Sequence, residues 1–248
     1  MKTLENRYLA RLCSFYGELE QLRAVRKLVC SYRDGGQPLD SVARKLGIAE
    51  IRREPLPFDG GVFEDGDVTV IKINSLRNSV RCQFTLAHEL GHLMLAGSVA
   101  KKRPKNCSDD QDLERACDSI AAELLMPYEE TVQFVVQLGR QSPEKVGIIA
   151  KRFGVSLETA ARRLHTDLKI WKLPMGLWEY GAVVQELWFV GKRPWRSRQL
   201  SFSAFDLARE SRMPIITRER YPVGTHTELV DLKVLHIGNN KILGVIAT

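Results

Sequence analysis

The amino-acid sequence predicts an α+β protein, with a mostly helical core around a small sheet, a helix-turn-helix-like helix pair and a smaller strand-rich C-terminal domain. Three observations carry this prediction. Apolar residues recur at helical spacing over most of the chain as far as residue 168, the alternating stretch DVTVIKIN precedes an apolar helical segment, and the composition shifts towards strands after Pro174. At 248 residues the chain is long enough for two or three modules.

The N-terminal part is predicted as a helical segment over residues 1–36. Its apolar positions recur three and four residues apart from Leu4 to Val29, and the sequence RDGG then ends the helix. LDSVARKLGI predicts a short helix closed by Gly47, and AEIRREPL predicts a strand. PFDGG is typical of a turn, and DVTVIKIN alternates as a strand with one buried face does.

The predicted core spans residues 37–140. Segment 81–96 is helical in pattern, and DLERACDSIAAELLM predicts a second helix that ends before Pro127, because proline cannot continue it. A third helix is expected at about 128–138.

Residues 141–170 are predicted as the helix pair, and residues 176–248 as a small α/β domain. Ser142-Pro143-Glu144 begins the first helix of the pair, and Ser156 caps the second after a glycine turn. In the C-terminal part GAVVQELWFVG and PIITRERY predict strands. LKVLHI and KILGVIAT, separated by GNN, predict a hairpin.

The composition is that of an ordinary globular protein. Hydrophobic residues make up 44% and charged residues 27%. No stretch approaches the roughly 18 consecutive apolar residues of a membrane-spanning helix. The N-terminus lacks a signal-peptide pattern, so we expect a cytoplasmic protein with no membrane partner.

The cysteine content argues against a disulfide-rich protein, whereas the net charge does not decide which partner the chain binds. The five cysteines are an odd number without a C-x-x-C pair, which favours free thiols over a disulfide framework or a cysteine zinc site. The net charge of +7 permits a nucleic-acid or acidic protein partner, but a mild excess of Lys and Arg usually belongs to a solvated surface.

The stretch RCQFTLAHELGHLML, residues 81–95, points to a candidate metal site. His88 and His92 are four residues apart, so on a helix they lie on one face and can direct two ring nitrogens at one ion. Glu89 projects to the side, where it can act as a general base without filling a coordination position. The alternative for this stretch alone is a pair of partly buried helix histidines held by hydrogen bonds.

A catalytic site of the His₂Glu type needs a third protein ligand, and the second predicted helix offers Glu114. Glu114 lies 22 residues after His92, which leaves room for a loop and an antiparallel return. Asp118 falls on the same face as Glu114 and can orient a ligand histidine. Other acids near this helix compete for the third position. They are Asp109, Asp110, Asp112 and Glu123.

The combination of QFTLAHELGHLML, ERACDSIAAELLMP and the preceding IKIN resembles the ImmA/IrrE family of zinc-dependent metallopeptidases. The resemblance covers about residues 38–168, since KRFGVSLETAARRL is similar to the helix pair that follows the peptidase core in that family. It implies a zincin-like metallopeptidase core. Where many members have Ala-Asn after the turn of the ligand glutamate, this chain has Cys117-Asp118, and an aspartate serves equally well to orient a histidine.

The resemblance also implies roles and a function. His88, His92 and Glu114 are expected to bind one Zn²⁺ ion, with another divalent metal such as Mn²⁺ as an alternative, and Glu89 is expected to be the catalytic acid/base. Family members are often associated with cleavage of helix-turn-helix repressors. We therefore expect a metal-dependent endopeptidase that hydrolyses a peptide bond through a metal-activated water, with such a repressor as its protein substrate in a stress or mobile-element response.

Several alternatives stay open at this level. The helix pair 143–168 offers Arg162 and Arg163 to DNA, which would make the chain a DNA-binding transcriptional regulator, although such pairs also occur as packing elements. The C-terminal domain is either regulatory or simply packed. The strand VIKIN is either an edge that holds an extended substrate or an ordinary sheet strand. Tyr128 and His165 are candidates for stabilising an oxyanion, and each also suits a packing or surface role.

Overall fold

The fold is α+β, which confirms the predicted class: helices are combined with two separate sheets. The computed structural model describes residues 18–33, 36–96, 110–181, 184–192, 202–223 and 226–247. The chain divides into two compact units. Unit 1 comprises residues 1–131 and 153–155, and unit 2 comprises residues 132–152 and 156–248. No helix in the described part is long and apolar enough to cross a membrane.

Unit 1 is built from helices around a three-stranded sheet. Its elements are α1 (Glu18–Tyr32), α2 (Leu39–Lys45), β1 (Glu50–Glu54), β2 (Gly60–Asp65), β3 (Val68–Asn74), α3 (Ser79–Ala96), α4 (Asp110–Leu125) and the start of α5 (Tyr128–Leu138). The predicted N-terminal helix is confirmed over α1, and residues 1–17 lie outside the described part.

The central strand of this sheet is β3, which pairs in parallel with β1 and antiparallel with β2. Ile71, for example, lies opposite Ile51 on one side and Val62 on the other. The hypothesis that VIKIN is a free edge is therefore wrong, because both sides of the strand are already hydrogen-bonded. The edge strand β2 begins inside the predicted turn, at Gly60. A Cβ there would lie 2.7 Å from Thr85 Cγ2, so only glycine lets this strand approach α3.

The core of unit 1 forms where α3 covers the sheet. Leu86, Leu90 and Met94 of α3 are buried in the same cluster as Ile71 and Ile73 of β3. Burying one such side chain contributes about 1.5–3 kcal/mol. The apolar residues of the HELGH helix therefore fix its position against the sheet and leave its polar residues on another face.

Two polar contacts hold the C-terminal end of α4. Arg33 donates from its guanidinium to the carbonyl oxygens of Leu124 and Gln37, which satisfies a carbonyl that the helix itself leaves free. The buried carboxylate of Glu123 accepts a 3.1 Å hydrogen bond from the backbone N–H of Tyr128 at the start of α5. Glu123 thus caps the next helix and is not part of the candidate metal cluster.

Unit 2 contains the helix pair and a five-stranded sheet. Its elements, after the greater part of α5, are α6 (Pro143–Phe153), α7 (Leu157–Arg162), a π-helical turn (Arg163–Asp167), β4 (Met175–Tyr180), β5 (Val184–Val190), α8 (Ser203–Ser211), β6 (Ile215–Val223), β7 (His226–His236) and β8 (Lys241–Ala247). Ser156 caps α7 by accepting a hydrogen bond from the Thr159 N–H, as predicted.

The antiparallel sheet has the strand order β5-β4-β8-β7-β6. The predicted hairpin is confirmed as β7 and β8, and Asn239 and Asn240 in its turn have the positive φ angles that tight hairpin turns need. The helix α8 packs on one face through Phe205, against a cluster that includes Trp178. Trp188 is also buried, and Trp195 lies outside the described residues.

The helix pair does not present both of its arginines to solvent. Arg162 is exposed and its Nε donates to Glu158 Oε1 at 2.9 Å. Arg163 has a side chain only 1% exposed, and its Nη1 lies 3.6 Å from Asp167 Oδ2. The expectation that Arg163 is available to DNA is therefore wrong. Arg163 is the first residue of the π-helical turn, and it is buried there, as Leu164 is.

Candidate metal centre

Four polar side chains from two helices come together on the surface of unit 1. His88 and His92 lie on α3, and Glu114 and Asp118 lie on α4. His88 Nε2 is 3.1 Å from His92 Nε2 and 3.1 Å from Glu114 Oε2, while His92 Nε2 is 3.5 Å from Glu114 Oε1. The sequence predicted that the two histidines and the two acids would come together although they lie on separate helices, and in the structure they form one cluster.

A close approach of the two helices brings the cluster together. Gly91 lies on α3 between the two histidines, and a Cβ at this position would lie 3.2 Å from both the Cα and the carbonyl oxygen of Cys117 on α4. Both residues are buried. The absence of a side chain at Gly91 lets α4 lie against α3, one helical turn from where Glu114 meets the histidines.

The spacing of the three candidate ligand groups suits a tetrahedral ion. Ligand nitrogens and oxygens at about 2.0–2.2 Å from a zinc ion, at tetrahedral angles, lie about 3.3–3.5 Å from each other. The observed separations of 3.1, 3.1 and 3.5 Å are close to this value. His88, His92 and Glu114 form a group of potential ligands whose donor atoms all lie within 4.8 Å of one another.

The hydrogen bond from Asp118 fixes the direction of the His88 ring. Asp118 Oδ1 lies 2.9 Å from His88 Nδ1, so a neutral His88 donates its Nδ1 proton to this carboxylate. Its Nε2 then carries a lone pair that faces the lone pairs of Glu114. Two acceptors face each other across 3.1 Å, an arrangement that calls for a cation or a proton between them.

The pKa of His88 reflects the same surroundings. Burial of the ring lowers its pKa, but the hydrogen bond to Asp118 and the charges of Asp118, Glu114 and Glu89 raise it, and the net shift is upwards. The carboxylates thus favour positive charge on or beside the imidazole. An ion held at the three candidate ligands would meet the same negative potential.

The remaining sequence candidates have other positions. Glu89 is partly buried beside His88 and acts on it electrostatically, outside the three-residue group. The Tyr128 ring lies under the Arg26 guanidinium at 3.8 Å, and His165 in unit 2 lies close to Gly191. Asp109 and the side chains of Asp110 and Asp112 lie outside the described part.

Two neighbours of the cluster were not singled out from the sequence. The ring of Phe84, one turn before His88 on α3, has its centroid 6.3 Å from that of His88. Gly91 sets the distance between the helices. Its position inside HELGH was a usable signal, because a glycine in the interior of a helix is unfavourable unless a close approach requires it.

Part of this chain is similar to a known protein family. Residues 43–165 match the family model of the IrrE N-terminal-like domain. The chain is 32% identical over 143 residues to the radiation response metalloprotease IrrE of Deinococcus radiodurans, which covers 55% of this chain and 43% of that protein. The protein of the same name in Deinococcus deserti is 30% identical over 143 residues, covering 55% and 50%. The matched region therefore spans half or less of these relatives.

A solved structure extends the likeness in fold. A Mycobacterium tuberculosis transcriptional regulator aligns with a TM-score of 0.56, covering 100% of this chain and 82% of that chain. The sequence identity is 15%, so this likeness concerns the fold alone.

Proposed function

The chain belongs to the ImmA/IrrE family through residues 43–165, and on that premise we propose that it is a metal-dependent endopeptidase that hydrolyses a peptide bond. The observation that carries the proposal is the cluster of His88, His92 and Glu114. Its three donor groups lie within 4.8 Å of one another, and Asp118 Oδ1 lies 2.9 Å from Nδ1 of His88. This donor set fits a catalytic zinc site of the His₂Glu type, and Mn²⁺ is the alternative ion.

In this proposal the ion supplies Lewis acidity to the scissile carbonyl and to the attacking water. Glu89 supplies the proton transfer. Its carboxylate accepts a proton from the attacking water and then donates that proton to the nitrogen of the leaving amine. Asp118 holds His88 in the orientation in which Nδ1 is protonated and Nε2 faces the cluster.

An extended substrate would bind along β2. This strand pairs with β3 alone, so its other edge has free backbone groups among the described residues. It also lies against α3 where Gly60 meets Thr85, one turn before His88. Addition of a strand at this edge would present a peptide backbone beside the cluster. The proposed substrate edge is therefore β2 and not β3, which is the central strand.

The proposed substrate is a helix-turn-helix repressor that acts in a stress or mobile-element response. Support for this class comes from the family resemblance, and the matched Deinococcus relatives are named as radiation response metalloproteases. A repressor encoded beside the gene for this chain is the first substrate to test.

Metal analysis of the wild-type chain and a Glu89→Gln variant tests the proposal. We expect one divalent ion per chain in both proteins, because Glu89 lies outside the candidate ligands. Cleavage of the repressor, followed by electrophoresis and mass spectrometry, should fall by a factor of about 10² to 10⁴ in the variant, which is the usual contribution of a general base.

Glu210→Gln, which removes an exposed carboxylate on α8 in unit 2, is the matched control and should cleave at the wild-type rate. A wild-type protein that contains no metal and cannot be loaded would contradict the proposal. Cleavage that persists unchanged in Glu89→Gln would contradict the role of Glu89.

A further inference from the structure

We propose that unit 2 carries a second ligand site, a pocket for a small molecule that joins an apolar body to an anionic group. The pocket has a volume of about 430 Å³. Its apolar wall is formed by Val135, Val136, Ile170, Trp171 and Leu173. Both the volume and the predominantly apolar lining are typical of sites that bind small organic ligands.

The pocket is held in shape by backbone and side-chain hydrogen bonds. The Gln141 amide clamps the backbone of Leu173 from both sides: its Nε2 donates to the carbonyl at 2.7 Å and its Oε1 accepts from the N–H at 3.0 Å. The N–H groups of Ile170 and Trp171 both donate to the Leu164 carbonyl. The wall formed by residues 170–173 is thereby fixed at both ends, so a ligand would meet a preformed surface.

The charges around the pocket have one sign. Arg140, Lys172 and Lys233 line it, all three are exposed, and no Asp or Glu is among the lining residues in the described part of the chain. None of the three forms an ion pair with another described residue. A site with an apolar wall and three cations that form no ion pair within the described part of the chain is complementary to an amphipathic anion, such as an aromatic or aliphatic carboxylate.

The pocket favours a small molecule over an added peptide strand. Lys233 belongs to β7, which is hydrogen-bonded to β6 on one side and to β8 on the other. The sheet therefore offers no free backbone edge at this position, and recognition depends on side chains alone. None of the lining residues belongs to the candidate metal centre, so this site does not rest on the proposed peptidase function.

Calorimetric titration with a matched pair of probes tests the site. 1-Naphthylacetate carries an apolar ring system and a carboxylate, and 1-naphthylacetamide has the same ring system without the charge. We expect the full-length protein to bind the carboxylate at least about tenfold more tightly than the amide, because three cations each contribute a modest ion-pair term. Sodium acetate, which lacks the apolar body, should not compete at equal concentration.

Substitutions at the rim assign the binding to this pocket. Arg140→Gln, Lys172→Gln and Lys233→Gln should each weaken binding of 1-naphthylacetate by about two- to fivefold. The triple variant should bind the two naphthyl probes equally. Lys192→Gln removes an exposed lysine of unit 2 that does not line the pocket and should bind like the wild type. Circular dichroism checks that each variant is folded.

Three results would overturn the proposal: absence of binding of either probe at millimolar concentration, equal affinity of the wild type for both probes, or a triple variant that keeps its preference for the carboxylate. The Glu89→Gln protein should bind 1-naphthylacetate as the wild type does. The binding test therefore stays valid if the peptidase proposal fails, and the peptidase test stays valid if the pocket binds neither probe.

Discussion

At the residue scale, His88 lies between two carboxylates that face its two ring nitrogens. Asp118 accepts a hydrogen bond from Nδ1, and Glu114 lies beside Nε2. The sequence favoured Glu114 over the other acids near its helix and placed Asp118 on the same face, because the two are four residues apart as the histidines are. It did not say which histidine Asp118 would meet. It did not predict Phe84 beside His88, since an aromatic residue at this position also suits a buried core face.

Asp118 should increase the metal affinity of the site without being a metal ligand itself. Replacement of Asp118 by Ala removes the acceptor that fixes the His88 ring, so we expect metal affinity to fall by about 10- to 100-fold, as is usual for such supporting groups. Competition with a chromophoric chelator measures this affinity. Asp118 is exposed, so the fold should persist. Ser119→Ala, the next position on α4, is the control, and equal affinities in the two variants would disprove the supporting role of Asp118.

The stability of the protein should depend on pH through the ionisation of Asp59 in unit 1. Hydrogen bonds and charge from Arg81 and then Arg77 lower its pKa below the ordinary value of 3.8, against a smaller opposing effect of burial. Because the folded pKa is lowered, the stabilisation is present above the unfolded pKa and is lost as the pH falls through the folded pKa. The free energy of unfolding of the wild type should therefore exceed that of Asp59→Asn near neutral pH. The difference should begin to shrink near the ordinary value of 3.8 and vanish only below the lower, folded pKa.

Urea unfolding of both proteins at a series of pH values measures this difference. Asp67→Asn, at an exposed position between β2 and β3, is the control and should show no comparable convergence. A difference between the wild type and Asp59→Asn that is constant down to the lowest pH would contradict the assignment.

At the scale of elements, the long helices were predictable and two strands were not. The 3.6-residue spacing of apolar residues in α3 and α4 survives in the structure because each helix buries one face. In β4, by contrast, Met175, Gly176, Leu177 and Trp178 are all buried, so the sequence shows no alternation. The second strand that was not predicted is β2, which begins with two glycines in what resembles a turn. Because β2 was missed, the central position of β3 was missed as well.

The contact between α3 and α4 predicts the effect of Gly91→Ala. The new Cβ would lie 3.2 Å from the Cys117 backbone, so the helices must separate by a few tenths of an ångström. We expect a loss of about 1–3 kcal/mol in the free energy of unfolding, as for other overpacked sites, together with weaker metal binding because Glu114 moves from the histidines. Chemical denaturation and chelator competition measure the two effects.

Gly147→Ala is the matched control, because Gly147 also lies inside a helix, α6, but a Cβ there meets nothing within 4 Å. This substitution should stabilise the protein by about 0.5–1 kcal/mol through the better helix propensity of alanine. If Gly91→Ala stabilised the protein to the same extent, close helix contact would not be what requires the glycine.

At the scale of the whole molecule, the two proposed sites belong to different units. The candidate metal ligands lie in unit 1, and every residue that lines the anion pocket lies in unit 2. The sequence indicated the first site through a motif with fixed spacing. It could not indicate the second, because Arg140, Lys172 and Lys233 are far apart along the chain and become neighbours only when β7 lies beside the residues that follow α5.

Metal binding should therefore protect one part of the chain selectively. A ligand that binds only the folded state stabilises it by about 2.7 kcal/mol at a free concentration 100 times its Kd, and local opening that breaks the site is suppressed by the same amount. Hydrogen exchange with and without Zn²⁺ should show slower exchange in α3 and α4, which supply the candidate ligands, and unchanged exchange in α8 and β8. His92→Ala should abolish the difference. Uniform protection of both units, or protection that persists in His92→Ala, would contradict the assignment of the ion to these two helices.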